Sequence, residues 1–221
     1  MNELELVKLA ENPDPRAACL LLLDTSASMS GEPIKALNEG LAAFYIDVMK
    51  DDLAKRRVEV AIVTFGRGGV SDAQDFVTVD EWTPPNLAAG GSTPLGQALE
   101  NGLSLLKKRK ETYKSAGLQY YRPWVFLITD GEPTDAWEEA AKAMKDEDAN
   151  KGLLFFAVGV ESANMTKLSD IASADRPPLK LKGLQFAELF LWLSQSQQRV
   201  SHSKVGDQLA LPAIGWAEVS T

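Results

Sequence analysis

The sequence predicts an α/β domain with a doubly wound, mostly parallel six-stranded sheet and helices on both faces. Short apolar runs alternate with segments of helical periodicity along nearly the whole chain, which is typical of strand and helix units that follow one another. Several runs are rich in Val, Ile, Leu and Phe without polar alternation, as expected for strands buried on both faces. The chain has 221 residues, of which 45% are hydrophobic, so one domain can bury a sizeable core.

The predicted strands follow from the apolar runs. They cover residues 17–23, 58–65, 76–82, 125–129, 153–160 and, with a weaker pattern, 179–181. The short connection "GRGGVSDAQD" between the second and third runs cannot hold a crossover, so these two strands are expected to form an antiparallel hairpin. Because residues 75–81 are partly polar, the third strand is expected to be the one antiparallel edge strand.

The predicted helices follow from apolar residues at i, i+3, i+4 and i+7. In the first helix this stripe contains Ile34, Leu37, Leu41, Phe44 and Val48. The helices are expected at residues 33–49, 95–113, 137–145, 165–172 and 186–199. The basic run "KKRK" falls near the end of the second helix, where cations complement the helix dipole, so it does not indicate a nucleic-acid site.

Composition and segment pattern predict a cytoplasmic protein without nucleic-acid or membrane partners. The chain has 23 basic and 31 acidic residues, a net charge of −8, which disfavours binding to phosphate backbones. The single cysteine, Cys19, lies in the first apolar run and indicates a reducing compartment. The N-terminus is acidic where a signal peptide is basic, and no apolar segment approaches the ~20 residues of a membrane span.

The chain shows no internal repeat or low-complexity linker. We predict an N-terminal extension at residues 1–15, one domain at 16–203 and a C-terminal tail at 204–221. The tail contains Leu209, Leu211, Ile214 and Trp216, which would be poorly placed in water. Docking of the tail on the domain is therefore favoured over a free end.

Oxygen-bearing side chains occur in three loops at the end of the sheet where open α/β folds bind ligands. Asp24, Ser26 and Ser28 follow the first strand, and Asp130 closes the fourth. Thr93 lies in "AAGGSTPLG" before the second helix, and the proline after it predicts that its hydroxyl caps that helix. The two glycines of this loop serve either flexibility or close backbone approach to a bound group.

These side chains predict a site for a hard divalent cation. Two neighbouring carboxylates repel each other, and their burial raises a pKa unless a cation neutralises them. Since all candidate ligands are oxygens, Mg²⁺ or Mn²⁺ is predicted ahead of Ca²⁺, and Zn²⁺ is disfavoured. Mg²⁺ takes about six oxygen ligands, so a position would stay open for an exogenous carboxylate. Taken alone, "DTSAS" is also compatible with a capped turn between strand and helix.

The motifs "DTSAS", "GGSTPLG" and "LITDG" resemble the metal-ion-dependent adhesion site of von Willebrand factor type A (VWA) domains. The similarity covers about residues 16–203. "ITDGEPTD", "GGSTPLGQAL" and "FAELFLWLSQSQQRVS" are similar to stand-alone bacterial VWA proteins associated with tellurium resistance and stress operons. The resemblance implies a Rossmann-like VWA fold and a divalent cation bound directly or through water. The implied ligands are Asp24, Ser26, Ser28, Thr93 and Asp130.

The same resemblance implies a protein-interaction module without catalytic residues. A partner's Asp or Glu would complete the metal shell. The bacterial members of the family are often proposed to be assembly factors near phosphatase or kinase partners, which implies an adaptor or assembly factor here. Acids 132, 135, 138 and 139 and Trp137 flank the site, either as a solvated helix start or as a partner surface.

The alternative function is a magnesium-dependent phosphohydrolase that uses Asp24 as its nucleophile. That chemistry usually needs a second carboxylate two residues later, where this chain has Ser26. His202 is the only histidine and has no acidic neighbour in the sequence, so it is expected at the surface and argues against a Ser-His-Asp hydrolase. The segment "GSTPLGQA" lacks the lysine of a phosphate-binding loop.

Overall fold

The structure is a computed structural model that describes residues 9–130, 132–161 and 163–218. Its strands are β1 (Ala17–Thr25), β2 (Val58–Gly66), β3 (Gly69–Thr78), β4 (Trp124–Thr129), β5 (Leu154–Gly159), β6 (Leu179–Leu181) and β7 (Ala217–Glu218). They form a sheet in the order β3-β2-β1-β4-β5-β6-β7. The central strands are parallel, and β3 and β7 run antiparallel to their neighbours. The predicted α/β class is therefore confirmed.

The helices are α1 (Glu32–Val48), α2 (Ala54–Arg57), α3 (Leu95–Ser115), α4 (Glu138–Ala149), α5 (Met165–Ile171) and α6 (Phe186–His202). The five predicted helices are confirmed with small shifts of their ends. The short helix α2 was not predicted, because a single turn is too short to show a periodic stripe. None of the helices in the described ranges is both long and apolar enough to span a bilayer.

Strand β1 is an inner strand of the sheet, between β2 and β4, and all nine of its residues are buried. Leu21 and Leu23 face the layer of α1 and α6, whereas Leu20 and Leu22 face the layer of α3, α4 and α5. Cys19 is fully buried in the first of these layers, and burial raises the pKa of its thiol. Hydrophobic burial on both faces explains why this strand is a continuous apolar run.

The third strand was predicted wrongly at residues 76–82. Strand β3 covers Gly69–Thr78, most of which was assigned to the connection, and Val79–Glu81 forms a 3₁₀ helix instead. The hairpin turn is only Arg67 and Gly68, where Gly68 has a φ of 85° that favours glycine. Because β3 is held by backbone pairing with β2 at the sheet edge, its side chains, of which only that of Phe76 is buried, do not need an apolar pattern.

The tail adds the seventh strand, so the sheet has two antiparallel edge strands where one was predicted. Trp216 is 2% exposed and packs edge-on against Trp192 with ring centroids 5.8 Å apart. The indole Nε1 of Trp192 donates a hydrogen bond of 2.9 Å to the Pro212 carbonyl. The expected docking is confirmed for this part of the tail, whereas Leu209 and Ile214 remain 39% and 37% exposed.

Candidate metal centre

Parallel pairing brings the first two predicted loops to the same end of the sheet. Strand β4 lies beside β1 with Ile128 opposite Leu23, so both strands end together and their following residues become neighbours. The Ser28 hydroxyl donates to Asp130 Oδ1 at 2.7 Å, across 102 residues of sequence. Ser26 Oγ lies 2.9 Å from Ser28 Oγ. Three of the five predicted ligands are thus joined in one hydrogen-bonded chain.

Asp24 is fully buried, and both oxygens of its carboxylate accept hydrogen bonds. Its Oδ1 accepts from the Ser26 backbone N–H at 2.7 Å, and its Oδ2 accepts from the Thr129 hydroxyl. Burial raises the pKa of Asp24, hydrogen bonds from the side chain and backbone of Ser26 and from Thr129 act against that rise, and nearby Asp130 adds to it. Thr129 was not among the site residues predicted from the sequence. Its hydroxyl lies at the buried end of β4, next to β1, and a buried hydroxyl needs a hydrogen-bond partner.

The loop that contains Thr93 is held against the loop after β1 by backbone hydrogen bonds. The Ala27 N–H donates to the Gly91 carbonyl at 3.1 Å, and the Gly90 N–H donates to the Thr25 carbonyl at 2.8 Å. Gly91 has a φ of 79°, and a Cβ there would lie 2.6 Å from the Gly66 carbonyl oxygen. Gly91 thus permits a close approach between its own loop and the backbone of Gly66, which is a different role from the approach to a bound group considered for these glycines.

The predicted helix-capping role of Thr93 is wrong. Helix α3 begins at Leu95, with Pro94 in the capping position and no side-chain cap from it. The cap comes from Asp135, whose Oδ1 and Oδ2 each accept a backbone N–H at 2.9 Å, from Gly96 and Gln97. A carboxylate from another loop thus satisfies the donors that a residue preceding the helix normally satisfies.

The loop after β4 is fastened to Thr93 as well. The Thr134 N–H donates to the Thr93 carbonyl at 2.9 Å, and the Thr93 N–H donates to the Thr134 hydroxyl at 3.1 Å. Gly96 permits this contact, since a Cβ at Gly96 would lie 2.0 Å from the Ala136 carbonyl oxygen. Thr93 therefore takes its position from the loop that follows Asp130.

The flanking residues have mainly structural contacts. Glu132 pairs with Lys167 at 2.6 Å and accepts from Asn164 at 2.8 Å, which fastens its loop to the start of α5. Trp137 is half-buried and packs against the core beneath α3 and α4. Glu138 and Glu139 are exposed in the first turn of α4.

The single histidine lies far from the site in sequence and structure. His202 is exposed at the end of α6, as predicted, but its Nε2 lies 2.8 Å from Asp51 Oδ2. This acidic neighbour is 151 residues away in sequence, so local inspection could not identify it.

The donor set fits a hard divalent cation. Its members are two carboxylates and three hydroxyls, which are ligands of Mg²⁺ and Mn²⁺. Within the described ranges no three His, Cys, Asp or Glu side chains converge as a metal cluster, so a cation here depends on the hydroxyls. Among the same residues, no Lys or Arg forms an ion pair with Asp24 or Asp130.

Asp135→Ala is expected to loosen the Thr93 loop. Losing both cap hydrogen bonds should lower the free energy of unfolding by about 1–2 kcal/mol and also weaken Mg²⁺ binding, because Thr93 and α3 lose a shared support. Chemical unfolding and calorimetric Mg²⁺ titration measure the two effects. Glu139→Ala, which removes an exposed acid close by, is the matched control and should change neither. Equal Mg²⁺ affinity in both variants would contradict the expectation.

The chain folds as an α/β domain of the Rossmann-like type, with the candidate site at the carboxyl ends of its central strands. The chain belongs to the von Willebrand factor type A domain family, whose model matches residues 20–181. VWA domains are protein-interaction and adhesion modules. The resemblance inferred from the motifs is confirmed at the level of the family.

Curated relatives include two collagen chains of Mus musculus. The collagen alpha-6(VI) chain is 25% identical over 160 residues, which cover 72% of this chain and 7% of that protein. The collagen alpha-4(VI) chain is 34% identical over 84 residues, covering 38% of this chain and 3% of that protein. This chain therefore spans less than a tenth of the length of these relatives.

Similar solved structures share the fold at low sequence identity. The pilus adhesin SpaC from Lactobacillus rhamnosus GG has a TM-score of 0.67 at 13% identity, covering 84% of this chain and 30% of that one. The SpRpn10 VWA domain has a TM-score of 0.54 at 12% identity, covering 79% of this chain and 93% of that one.

Proposed function

We propose that this protein is a divalent-cation-dependent protein-binding module. Mg²⁺ or Mn²⁺ would be held by Asp24, Ser26, Ser28, Thr93 and Asp130, and a partner protein would complete the shell with an Asp or Glu. The observation that carries the proposal is the hydrogen-bonded chain from Ser26 through Ser28 to Asp130, beside the buried carboxylate of Asp24. Side chains from loops far apart in sequence converge there on one small space.

Each residue has a defined task in this proposal. Asp24 and Asp130 supply negative charge, and Thr129 orients the Asp24 carboxylate by donating to one of its oxygens. Ser26, Ser28 and Thr93 supply neutral oxygens, so the protein offers two negative charges to a cation of charge +2. The bound ion supplies a Lewis-acidic position that attracts a carboxylate from outside.

We propose no reaction at this site. Asp24 is fully buried, with both carboxylate oxygens engaged, and Ser26 occupies the position where a phosphohydrolase would need an acid or base. These contacts suit an immobile metal ligand better than a nucleophile that must reach a substrate. The phosphohydrolase alternative therefore gains no support from the geometry.

The cellular role that we propose is a bacterial cytoplasmic adaptor or assembly factor linked to stress or tellurium resistance, with a phosphatase or kinase as partner. Support comes from the segments "ITDGEPTD", "GGSTPLGQAL" and "FAELFLWLSQSQQRVS". Direct binding of tellurium is not part of the proposal, because Cys19 is fully buried in the core.

Calorimetric titration of Mg²⁺ and Mn²⁺ into metal-free protein tests this function. We expect one saturable site for either ion, followed by metal-dependent binding of the acidic peptide N-acetyl-Gly-Asp-Gly-amide, which stands in for a partner's side chain. The same peptide with Asn in place of Asp is the matched control. Absence of saturable metal binding, or equal peptide binding in chelator, would refute the proposal.

A further inference from the structure

A third carboxylate at the metal centre creates a charge problem. This inference rests on the proposed function, in which Asp24 and Asp130 together cancel the charge of a divalent ion. A partner's Asp or Glu would then leave the centre with a net negative charge, on a chain whose net charge is already −8. Binding would be favoured by a protein cation close to the incoming carboxylate.

Arg67 is such a cation and lies on the rim of the site. It occupies the turn between β2 and β3, and its N–H donates to the Thr25 carbonyl at 3.2 Å. The same carbonyl accepts the Gly90 N–H at 2.8 Å, and Thr25 directly precedes Ser26. The backbone of Arg67 is thereby fixed within one side-chain length of the proposed ligands.

The side chain of Arg67 follows the glycine loop. Its Cγ lies 3.6 Å, and its Cβ and Cδ 3.8 Å, from the position of a Cβ built on Gly90. Gly91, the next residue, accepts the hydrogen bond from Ala27 in the proposed metal loop. The aliphatic part of Arg67 therefore lies along the loop while the residue as a whole stays exposed.

The charge of Arg67 is available to a partner. Arg67 is exposed and forms no ion pair within the part of the chain that the structure describes. Other cations at this end are engaged, since Lys167 pairs with Glu132 at 2.6 Å and Lys35 lies 3.8 Å from Glu32.

We propose that Arg67 is a second anchor for the partner: its guanidinium binds the carboxylate that completes the metal shell and compensates its charge. Arginine suits this task because its planar donors match a carboxylate and it stays charged at all physiological pH values. The partner is accordingly a protein segment that presents an Asp or Glu to the metal and to Arg67 together.

The test compares wild type with Arg67→Gln and Arg67→Lys in two measurements. Calorimetry gives the Mg²⁺ affinity, and NMR titration in saturating Mg²⁺ gives the affinity for N-acetyl-Gly-Asp-Gly-amide. Lys108→Gln is the matched control. It also removes one positive charge, but at a position about 20 Å along α3 from the start of that helix. We expect all four proteins to bind Mg²⁺ alike and Arg67→Gln to bind the peptide about fivefold more weakly than wild type. Arg67→Lys should fall between these two, because it keeps the charge but loses the planar donors, and Lys108→Gln should bind the peptide like wild type.

The salt dependence gives an independent reading of the same contact. Peptide affinity should fall less steeply with added KCl in Arg67→Gln than in wild type, whereas Arg67→Lys should behave like wild type. If Mg²⁺ and metal-dependent peptide binding are intact but Arg67→Gln binds the peptide as tightly as wild type, the role of Arg67 is refuted and the proposed function stands. If wild type binds no Mg²⁺, or binds the peptide without it, both fail.

Discussion

Mg²⁺ should stabilise wild type against heat and should not stabilise Asp24→Asn. At a free Mg²⁺ concentration of about 100 times Kd, binding adds about 2.7 kcal/mol to the free energy of unfolding, a Tm rise of roughly 5–11 °C for a domain of this size. Asp24→Asn removes a buried charge but keeps an oxygen for the Ser26 N–H, so the fold is preserved. Thermal unfolding with and without Mg²⁺ measures the difference.

The same prediction can be tested by comparing the stabilities of wild type and Asp24→Asn in chelator. Without metal, the Asp24 carboxylate is fully buried and has no ion pair among the described residues, so Asp24→Asn should be at least as stable as wild type. With Mg²⁺ the order reverses. Asp80→Asn, which removes an exposed acid, serves as control. An equal Mg²⁺-dependent rise in Tm for Asp24→Asn would show that this carboxylate is not a ligand.

Glu59→Gln should destabilise the protein by about 3–5 kcal/mol, because it breaks a buried charge network at the other end of the sheet. Glu59 is 1% exposed and accepts from Arg16 Nε at 3.0 Å, from Arg109 Nε and Nη2 at 2.8 Å, and from the Tyr113 hydroxyl. Burial alone acts against the charge of Arg109, but contact with Glu59 raises the pKa of this guanidinium. The substitution leaves both guanidinium groups without their buried counter-charge.

Urea unfolding in chelator measures this loss, and Glu111→Gln on the exposed face of α3 is the matched control. Mg²⁺ affinity of the folded protein should not change, because Glu59 pairs with Ala18 whereas Phe65 pairs with Asp24. Six residues of strand separate the two positions, about 20 Å. A loss below 1 kcal/mol would mean that the network is replaceable by neutral hydrogen bonds.

The elements predicted well from the sequence are those whose own residues show a hydrophobic pattern. Strand β1 is a continuous apolar run because both of its faces are buried, and α1 shows its stripe because one face packs on the sheet. Strand β3 was misplaced because "GVSDAQD" is specified by pairing with β2 rather than by apolar residues. Strand β7 is two residues long and depends on β6, which lies far away in sequence.

The same distinction applies to the candidate site. The positions of Asp24 and Asp130 follow from a topological rule, that parallel strands end at one edge, and the structure places their loops within hydrogen-bonding distance. The capping role given to Thr93 followed from a local rule. In the structure the helix is capped instead by the carboxylate of Asp135, 39 residues from Gly96. The supporting roles of Thr129, Thr134 and Asp135 depend on how loops meet, which local patterns do not encode.

The two borders of the sheet limit how a partner can approach. Strand β3 is irregular where its register against β2 shifts between Val60 and Val63, and it presents Asp72 and Asp75. Strand β7 offers two residues at the opposite border. Charge, irregularity and shortness are features that prevent another chain from extending a sheet by backbone pairing. In the proposed function, the partner therefore does not extend the sheet; it would present one acidic side chain, from the tip of a loop or a terminus, to the carboxyl ends of the strands.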